Sequence, residues 1–302
     1  MKLISYSTIL NNLIEIKKNN GTSFVVKNNA YGFDIEKIAN LAIKAGIEEL
    51  AVIDYIEAIK IRKIDKDVRI LLLAGSKCDL ELLKKYNIIA SAENEEEYLY
   101  YKKNNIRMAL KVDVGMHRFG IRNLENKYLL DDMVEEIYFH LPLALNSYNS
   151  IISYYSNLCN QYNKRYHFGG SALYKKYNVP IRFGIIAYNN SIQLYGKIIA
   201  LKYLKKNATL GYNEYYKAND DIYYAIIDIG YYNGLNRNNK YKVFYHNEYY
   251  ESIGLLCMNH LFIRANSNFK IGEYVEFIGE NIKIEDLANE DLSVYELILR
   301  LK

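Results

Sequence analysis

The chain has 302 residues and a formal net charge of +4, so it is long enough to bury a large core in one or two domains. Lys and Glu alternate along its helical segments rather than forming one basic stretch, which argues against a nucleic-acid partner. Cys78, Cys159 and Cys257 are far apart and the five histidines are scattered, so neither a disulfide framework nor a metal site is predicted. No apolar stretch is long enough to span a bilayer, and no signal peptide is recognisable. These features predict a protein of the reducing cytoplasm without a membrane partner.

Up to about residue 190, short apolar runs alternate with amphipathic helical patterns. One such helix is predicted from Asp34 to Ala45, with Asp34 as its N-cap and Gly46 at its end. Strands that alternate with helices are typical of a parallel sheet, and eight of them predict an α/β fold, a (β/α)8 TIM-type barrel over residues 1–190. The predicted strands span 22–27, 50–53, 68–74, 88–92, 108–113, 135–141, 165–168 and 181–188.

Beyond residue 190 the pattern changes to strand-length segments with no long helix between them. Such segments predict a smaller, mainly antiparallel β domain over residues 191–302. A helical pattern from Ile284 to Leu301 closes the chain. The predicted strands of this domain span 192–203, 222–230, 241–246, 253–264 and 274–278.

Lys27 ends the first apolar run and is followed at once by a turn-forming Asn/Gly cluster. An amine at the carboxyl end of a buried strand is partly desolvated, which lowers its pKa and favours a nucleophile or Schiff-base former. A lysine that merely extends into water is the alternative. Barrel active sites lie at this end of the strands, and Gly169-Gly-Ser171 after the seventh run offers N–H groups and a hydroxyl to a phosphate. Pyridoxal phosphate (PLP), a phosphorylated aldehyde, fits both features.

The residues around Lys27 resemble the lysine motif of the bacterial alanine racemases, and further blocks resemble this family in the same order along the chain. The resemblance implies a PLP-binding barrel followed by a β domain that carries a second catalytic base. It also implies a homodimer in which the β domain of one subunit completes the active site of the other. The blocks are Val25-Val-Lys27-Asn-Asn-Ala-Tyr31-Gly32, Leu110 to Gly120, His167 to Ser171, Ile181 to Tyr188, Leu210-Gly-Tyr212, Ile229 to Arg237, Cys257-Met258-Asn259 and Val294-Tyr295-Glu296.

By this resemblance, Lys27 would hold PLP as a Schiff base and act as the base on one face of the substrate α-carbon. Tyr212, contributed by the partner subunit, would act on the opposite face. Racemisation requires two such groups because a proton removed from one side must be replaced from the other. A tyrosine is a poor base at its free pKa of ~10, so it needs positive or hydrogen-bonding surroundings. Residues matching His167 and Arg182 would supply them.

The resemblance also implies a set of cofactor and substrate ligands. Arg182 would face the pyridine nitrogen, and because a guanidinium keeps its protons at neutral pH, the ring would stay largely unprotonated. Lys111 matches a position that is often carbamylated and that orients the arginine matching Arg118, and His140 matches a histidine near the ring. The implied cofactor ligands are Lys27, Tyr31, His167, Ser171, Arg182, Gly184, Ile185 and Tyr295, and the implied substrate ligands are Arg118, Tyr231 and Met258.

Some positions depart from the family pattern without removing a central catalytic group. Asn233 and Asn259 stand where the family has aspartates, which removes negative charge near the substrate. We expect interconversion of L- and D-alanine for peptidoglycan. A racemase of serine or another amino acid is an alternative that Asn259 favours. A non-catalytic PLP-binding protein would lack the β domain with Tyr212, and a related decarboxylase would have glutamate in place of Arg182.

Overall fold

The computed structural model describes residues 1–73, 79–142, 147–288 and 292–302, so Cys78 and the last residue of the predicted strand 68–74 lie outside the described residues. The chain divides into two compact units, Ser7–Asn189 and Met1–Tyr6 with Asn190–Lys302. Residues 1–6 fall in the range predicted as barrel, but they belong to the second unit. The reason is that strand β1 (Lys2–Ile4) pairs antiparallel with β10 (Ile192–Leu204).

The unit of residues 7–189 contains a closed barrel of eight parallel strands, which confirms the predicted fold. Its strands are β2 (Gly21–Val25), β3 (Glu49–Val52), β4 (Arg69–Leu72), β5 (Ile89–Ala92), β6 (Met108–Val112), β7 (Val134–His140), β8 (Arg165–Gly169) and β9 (Ile181–Phe183). Strand β2 pairs with both β3 and β9, and this closes the sheet. The predicted strand 181–188 is a strand for three residues only, because Gly184 leaves the strand conformation (φ −144°, ψ −87°) and a 3-10 helix begins at Ile185.

The helices of this unit begin and end where local chemistry requires. They are α1 (Tyr6–Lys18), α2 (Lys27–Tyr31), α3 (Ile35–Lys44), α4 (Tyr55–Ile64), α5 (Leu80–Lys85), α6 (Glu95–Lys103), α7 (Asn126–Leu129) and α8 (Asn149–Gln161). The predicted cap of α3 is confirmed, since the Asp34 side chain accepts from the first-turn backbone N–H groups. Asn87, Asn105 and Asn163 follow α5, α6 and α8 with φ of 50–52°. Asparagine tolerates this left-handed conformation better than other side chains, so these residues can end helices as glycine does.

The second unit is a mainly antiparallel β domain, as predicted. Its main sheet has the order β1-β10-β13-β16-β15-β14-β17, and β11 pairs with β12 in a small separate sheet. Strands after β10 are β11 (Thr209–Leu210), β12 (Tyr216–Lys217), β13 (Ile222–Ile227), β14 (Lys242–Tyr245), β15 (Glu248–Ile253), β16 (Leu261–Ala265) and β17 (Tyr274–Ile278). The predicted strand 253–264 is wrong as one element: Gly254 adopts φ +69°, and a loop separates β15 from β16. The predicted closing helix is a 3-10 helix (Ile284–Leu287) followed by α9 (Val294–Arg300).

Each unit has an apolar core of its own. In the barrel unit, Phe24 stacks on Phe183 with ring centroids 5.0 Å apart, and Phe33 stacks on Tyr188 at 4.3 Å.

Among the described residues, Cys159 and Cys257 are free thiols. No helix in the described part of the chain is long and apolar enough to cross a membrane.

Candidate active site

Lys27 is the first residue of α2, which is a left-handed turn rather than a regular helix and follows the first barrel strand. Strand β2 ends at Val25, two residues earlier than the sequence pattern predicts, and Asn28, Asn29 and Ala30 adopt φ of 53–54°. Such a run is costly for L-residues, although asparagine tolerates it better than most. The Asn29 N–H donates to Glu57 Oε1 at 2.8 Å, which fixes the turn against α4. Backbone strain of this kind is often found at functional sites.

The Lys27 amine is partly buried among positive charges. Burial lowers its pKa first, and the guanidinium groups of Arg118 and Arg182 lower it further, while Glu57 opposes them. A lowered pKa increases the fraction of neutral amine, which is the nucleophilic form. The lowered pKa agrees with the prediction for an amine at the end of a buried strand, although Lys27 is not part of the strand.

Tyr31, Ser171 and Gly184 form a polar cluster after strands β2, β8 and β9. The Gly184 N–H donates to Ser171 Oγ at 3.3 Å. A Cβ atom at Gly184 would lie 2.5 Å from Tyr31 Oη, so only glycine allows this close approach. Ser171 and Ile185 each begin a 3-10 helix. Two hydroxyl groups and backbone N–H groups are thus brought together where phosphate was predicted to bind.

Arg182 is a buried guanidinium held between two histidines. Its Nη1 lies 3.1 Å from His167 Nδ1, and its Nη2 lies 3.2 Å from His140 Nδ1. The guanidinium also packs 4.9 Å from the Tyr138 ring centroid. A Cβ atom at Gly169 would come within 2.2 Å of Arg182 Nη2, so this glycine makes room for the guanidinium. Both histidines therefore help to fix the arginine that was predicted to face the cofactor ring.

Both histidines are suited to accept these hydrogen bonds. Burial lowers the pKa of His140 to about 4, and the nearby cations Arg182, Arg118 and Lys111 contribute to the shift. Burial also lowers the pKa of His167, whose side chain is fully buried. Each imidazole is consequently neutral at pH 7 and can accept a hydrogen bond from Arg182.

A buried ion pair lies near Arg118, between Lys111 of β6 and Glu93 at the end of β5. Lys111 Nζ lies 3.3 Å from Glu93 Oε1, and both side chains are almost fully buried. Burial lowers the pKa of Lys111 and raises that of Glu93, while the attraction between the two opposes each shift. Lys111 is therefore paired with Glu93, which sequence reasoning missed, whereas its orientation of Arg118 stays a prediction. The position of Glu93 directly after the predicted strand 88–92 was the available signal.

Arg118 is exposed in the barrel unit, after β6. The other predicted site residues lie in the β domain and are exposed there. The N–H of Tyr231 donates to Cys257 O at 3.1 Å, and the N–H of Tyr232 donates to Met258 O at 3.0 Å. This pairing brings Tyr231 and Met258, both predicted substrate ligands, onto neighbouring segments. Tyr212 begins a 3-10 helix and is 58% exposed, and Tyr295 in α9 is 46% exposed.

Comparison with known proteins assigns the family. The family model for the alanine racemase N-terminal domain matches residues 4–188, and that for the C-terminal domain matches residues 191–302. An alanine racemase of Borreliella burgdorferi (strain ZS7) is 25% identical, with 99% of this chain and 94% of that protein covered. An amino-acid racemase of Enterococcus faecalis is 28% identical over 99% of this chain and 50% of its own length.

A solved structure has the same fold. Alanine racemase from Bartonella henselae, which contains covalently bound pyridoxal phosphate, superimposes with a TM-score of 0.85 at 21% identity. The match covers 100% of this chain and 96% of the other. Because the two family models together cover nearly every residue, the chain belongs to the alanine racemase family, a family of PLP-dependent isomerases.

Proposed function

We propose that this protein is a PLP-dependent racemase that interconverts L- and D-alanine. The observation that carries the proposal is the Lys27 amine, whose pKa is lowered by burial and by Arg118 and Arg182. Family membership supplies the reaction class, since relatives that match over nearly the whole chain are named alanine racemases.

The barrel residues fit PLP in three respects. Lys27 offers an amine of lowered pKa for covalent attachment. The hydroxyl groups of Tyr31 and Ser171, with the N–H groups of Gly184 and Ile185, would bind the phosphate, and Tyr295 would add a further hydroxyl. Arg182, held by His140 and His167, would face the pyridine nitrogen. When bound, PLP supplies an electron sink that stabilises negative charge on the substrate α-carbon.

The proton transfers would need two groups on opposite faces of the α-carbon. Lys27 Nζ would take or return the proton on one face. Tyr212 Oη of a second subunit would do so on the other, in a homodimer with shared active sites. The cations Arg118 and Arg182 would favour the phenolate form that a tyrosine base requires, because nearby positive charge lowers a phenol pKa. The exposure of Tyr212 on its own unit is compatible with this role.

Three predicted ligands would recognise the substrate. Arg118 would pair with the substrate carboxylate, as a guanidinium suits a carboxylate in geometry and charge. The Met258 backbone would add a hydrogen bond, and Tyr231 would narrow the entrance. The D-alanine formed in the cytoplasm would supply peptidoglycan synthesis. Asn259 beside Met258, and an amino-acid racemase among the relatives, keep serine or another amino acid as a second candidate substrate.

One incubation tests the proposal. PLP-loaded protein is mixed with L-alanine in deuterated water, and both α-deuteration and the D/L ratio are followed, with L-serine in parallel. We expect deuterated alanine of both configurations and slower turnover of serine. Bound PLP without deuteration would indicate a binding protein. Deuteration with no change of configuration would indicate single-face exchange, and faster turnover of serine would overturn the substrate assignment.

A further inference from the structure

On the side of His167 that faces away from Arg182, the barrel interior holds buried carboxylates that the proposed reaction does not use. His167 Nε2 lies 3.3 Å from Glu49 Oε1 and 4.0 Å from Glu136 Oε2. All three side chains are fully buried. Glu49 is on β3 and His167 is on β8, which are not neighbours in the sheet, so their contact crosses the barrel interior.

Two arginines accompany these carboxylates. Arg69 Nε lies 3.3 Å from Glu49 Oε2, and Arg165 Nε lies 3.3 Å from Glu136 Oε2. Potential ligand atoms of Glu49, Glu136 and His167 lie within 4.8 Å of one another, as in a metal site. Because arginine side chains already bring positive charge to both carboxyl groups, we assign the cluster an electrostatic role rather than metal binding.

The contact with Arg182 indicates which tautomer His167 adopts. A guanidinium has donors and no acceptor, so the contact between Arg182 Nη1 and His167 Nδ1 requires an unprotonated Nδ1. The proton of the neutral ring must then be on Nε2, which lies 3.3 Å from Glu49 Oε1. A carboxylate at this position favours that tautomer, as a partner of one ring nitrogen sets the state of the other.

The ionisation of the two glutamates agrees with this arrangement. Burial and the charge of Glu49 raise the pKa of Glu136 well above its usual range, so Glu136 is neutral. Burial works against ionisation of Glu49 as well, but the neighbouring side chains of His167, Glu136 and Ser23 hold its pKa below the usual range. Arg69 Nε also donates to Glu49 Oε2 at 3.3 Å. The negative charge therefore resides on the glutamate that contacts His167.

We propose that Glu49 is a positioning residue for Arg182, acting through His167. Its carboxylate holds the Nε2–H tautomer, which leaves Nδ1 free to accept from Arg182 and so orients the guanidinium in the barrel. The effect on turnover rests on the proposed racemase function, whereas the tautomer does not. Sequence reasoning gave no sign of Glu49, because the contact joins strands β3 and β8.

The test is NMR of protein with ring-¹⁵N-labelled histidine, in which only five histidines contribute. His167→Gln assigns the signals. We expect the wild type to carry the His167 proton on Nε2. Glu49→Met removes the acceptor and should shift His167 towards Nδ1–H or a mixture, while Glu49→Gln keeps an acceptor oxygen and should retain much of the Nε2–H form.

Turnover of the PLP-loaded Glu49→Met variant should fall on the order of tenfold with the KM for alanine nearly unchanged, because Glu49 contacts no substrate.

Glu135→Gln is the matched control, because Glu135 contacts Arg69 but is partly exposed and is not among the groups that contact His167. It should leave both the tautomer and turnover unchanged. A wild-type His167 with its proton on Nδ1, a Glu49→Met variant whose His167 keeps the wild-type tautomer, or a Glu49→Gln variant that loses Nε2–H would overturn the proposal. So would stoichiometric metal in the purified protein together with an unprotonated Nε2. A protein that shows the expected tautomer but no racemisation would instead count against the proposed function alone.

Discussion

The predicted site residues of the two units differ in how far they are buried. Apart from the exposed Arg118, the barrel buries its charged site groups at least in part, and neighbouring charges shift their pKa values, as for Lys27, His140 and Lys111. The β domain instead leaves Tyr212 and Met258 more than half exposed on its own surface. The barrel thus determines protonation states within one chain, because burial disfavours charged lysine and histidine. The β domain presents groups whose surroundings, in the proposed homodimer, a second subunit would complete.

The largest expected effect comes from the barrel amine. Lys27→Ala should remove covalently bound cofactor and lower racemisation by at least about 1,000-fold, because it removes both the attachment point and a proton-transfer group. Absorbance spectroscopy measures the covalently bound cofactor, and a D-alanine assay measures racemisation. Lys37→Ala, at an exposed lysine paired with Asp34, is the control and should behave like the wild type. Unchanged cofactor binding in Lys27→Ala would remove the basis for placing the chemistry in the barrel.

A steric change beside Arg182 should have the next largest effect. In Gly169→Ala the new Cβ would come within 2.2 Å of Arg182 Nη2, so the guanidinium must move. We expect kcat to fall by about 100-fold, since displacement by about 1 Å at a site can cost that much. Gly196→Ala makes a similar clash with Ile227 in the β-domain core and should reduce stability more than it alters the cofactor spectrum. Equal changes of the cofactor spectrum in Gly169→Ala and Gly196→Ala would weaken the claim that the barrel, and not the β domain, holds the cofactor.

Burial of His140 should make stability depend on pH. Its pKa is about 4 in the folded protein against 6.5 unperturbed, so the unfolded chain binds more protons between these values. The free energy of unfolding should therefore fall by about 3 kcal/mol as pH drops from 6.5 to 4. Urea unfolding at several pH values measures this loss, which His140→Gln should reduce. If the free energy of unfolding depended on pH in the same way in the wild type and in the variant, this would argue against a neutral, buried His140.

The smallest effect concerns the left-handed turn after Lys27. Asn28 is exposed with φ of 54°, so Asn28→Val should cost about 1–2 kcal/mol of stability because a β-branched residue disfavours that conformation. Asn28→Gly should be nearly neutral. Asn213, with φ of 58° beside Tyr212, offers the same pair of substitutions in the β domain. Similar costs at both positions, measured by urea unfolding, would show that the conformation and not the unit determines the penalty.

Much of the barrel could be predicted because it depends on local pattern. Apolar runs predicted all eight strands, and Asp34 marked the start of α3 as a side-chain cap. The end of β2 was placed two residues late, because Val26 and Lys27 continue an apolar pattern while the backbone already turns. Strand β1 was missed since three residues carry too little periodicity, and only pairing with β10 defines it.

The site was predictable where residues stand in recognisable blocks, and not where distant strands meet. Lys27, Ser171 and Arg182 were predicted in this way. Glu49 and Glu136 could not be found, because their partners lie on other strands and a glutamate at the start of a strand usually indicates a solvated edge. Glu93 was missed for a related reason, since its partner Lys111 is on the next strand.

The division of roles between the two units is tested most directly by α-proton exchange in Tyr212→Phe. Bound cofactor and Lys27 remain, so exchange with deuterated water should persist from one alanine enantiomer. Exchange from the other enantiomer should fall by at least about 100-fold, and racemisation should fall with it. Tyr215→Phe, at a neighbouring exposed tyrosine, should leave both unchanged. Exchange that persists equally, or is lost equally, from L- and D-alanine would contradict a second base at Tyr212.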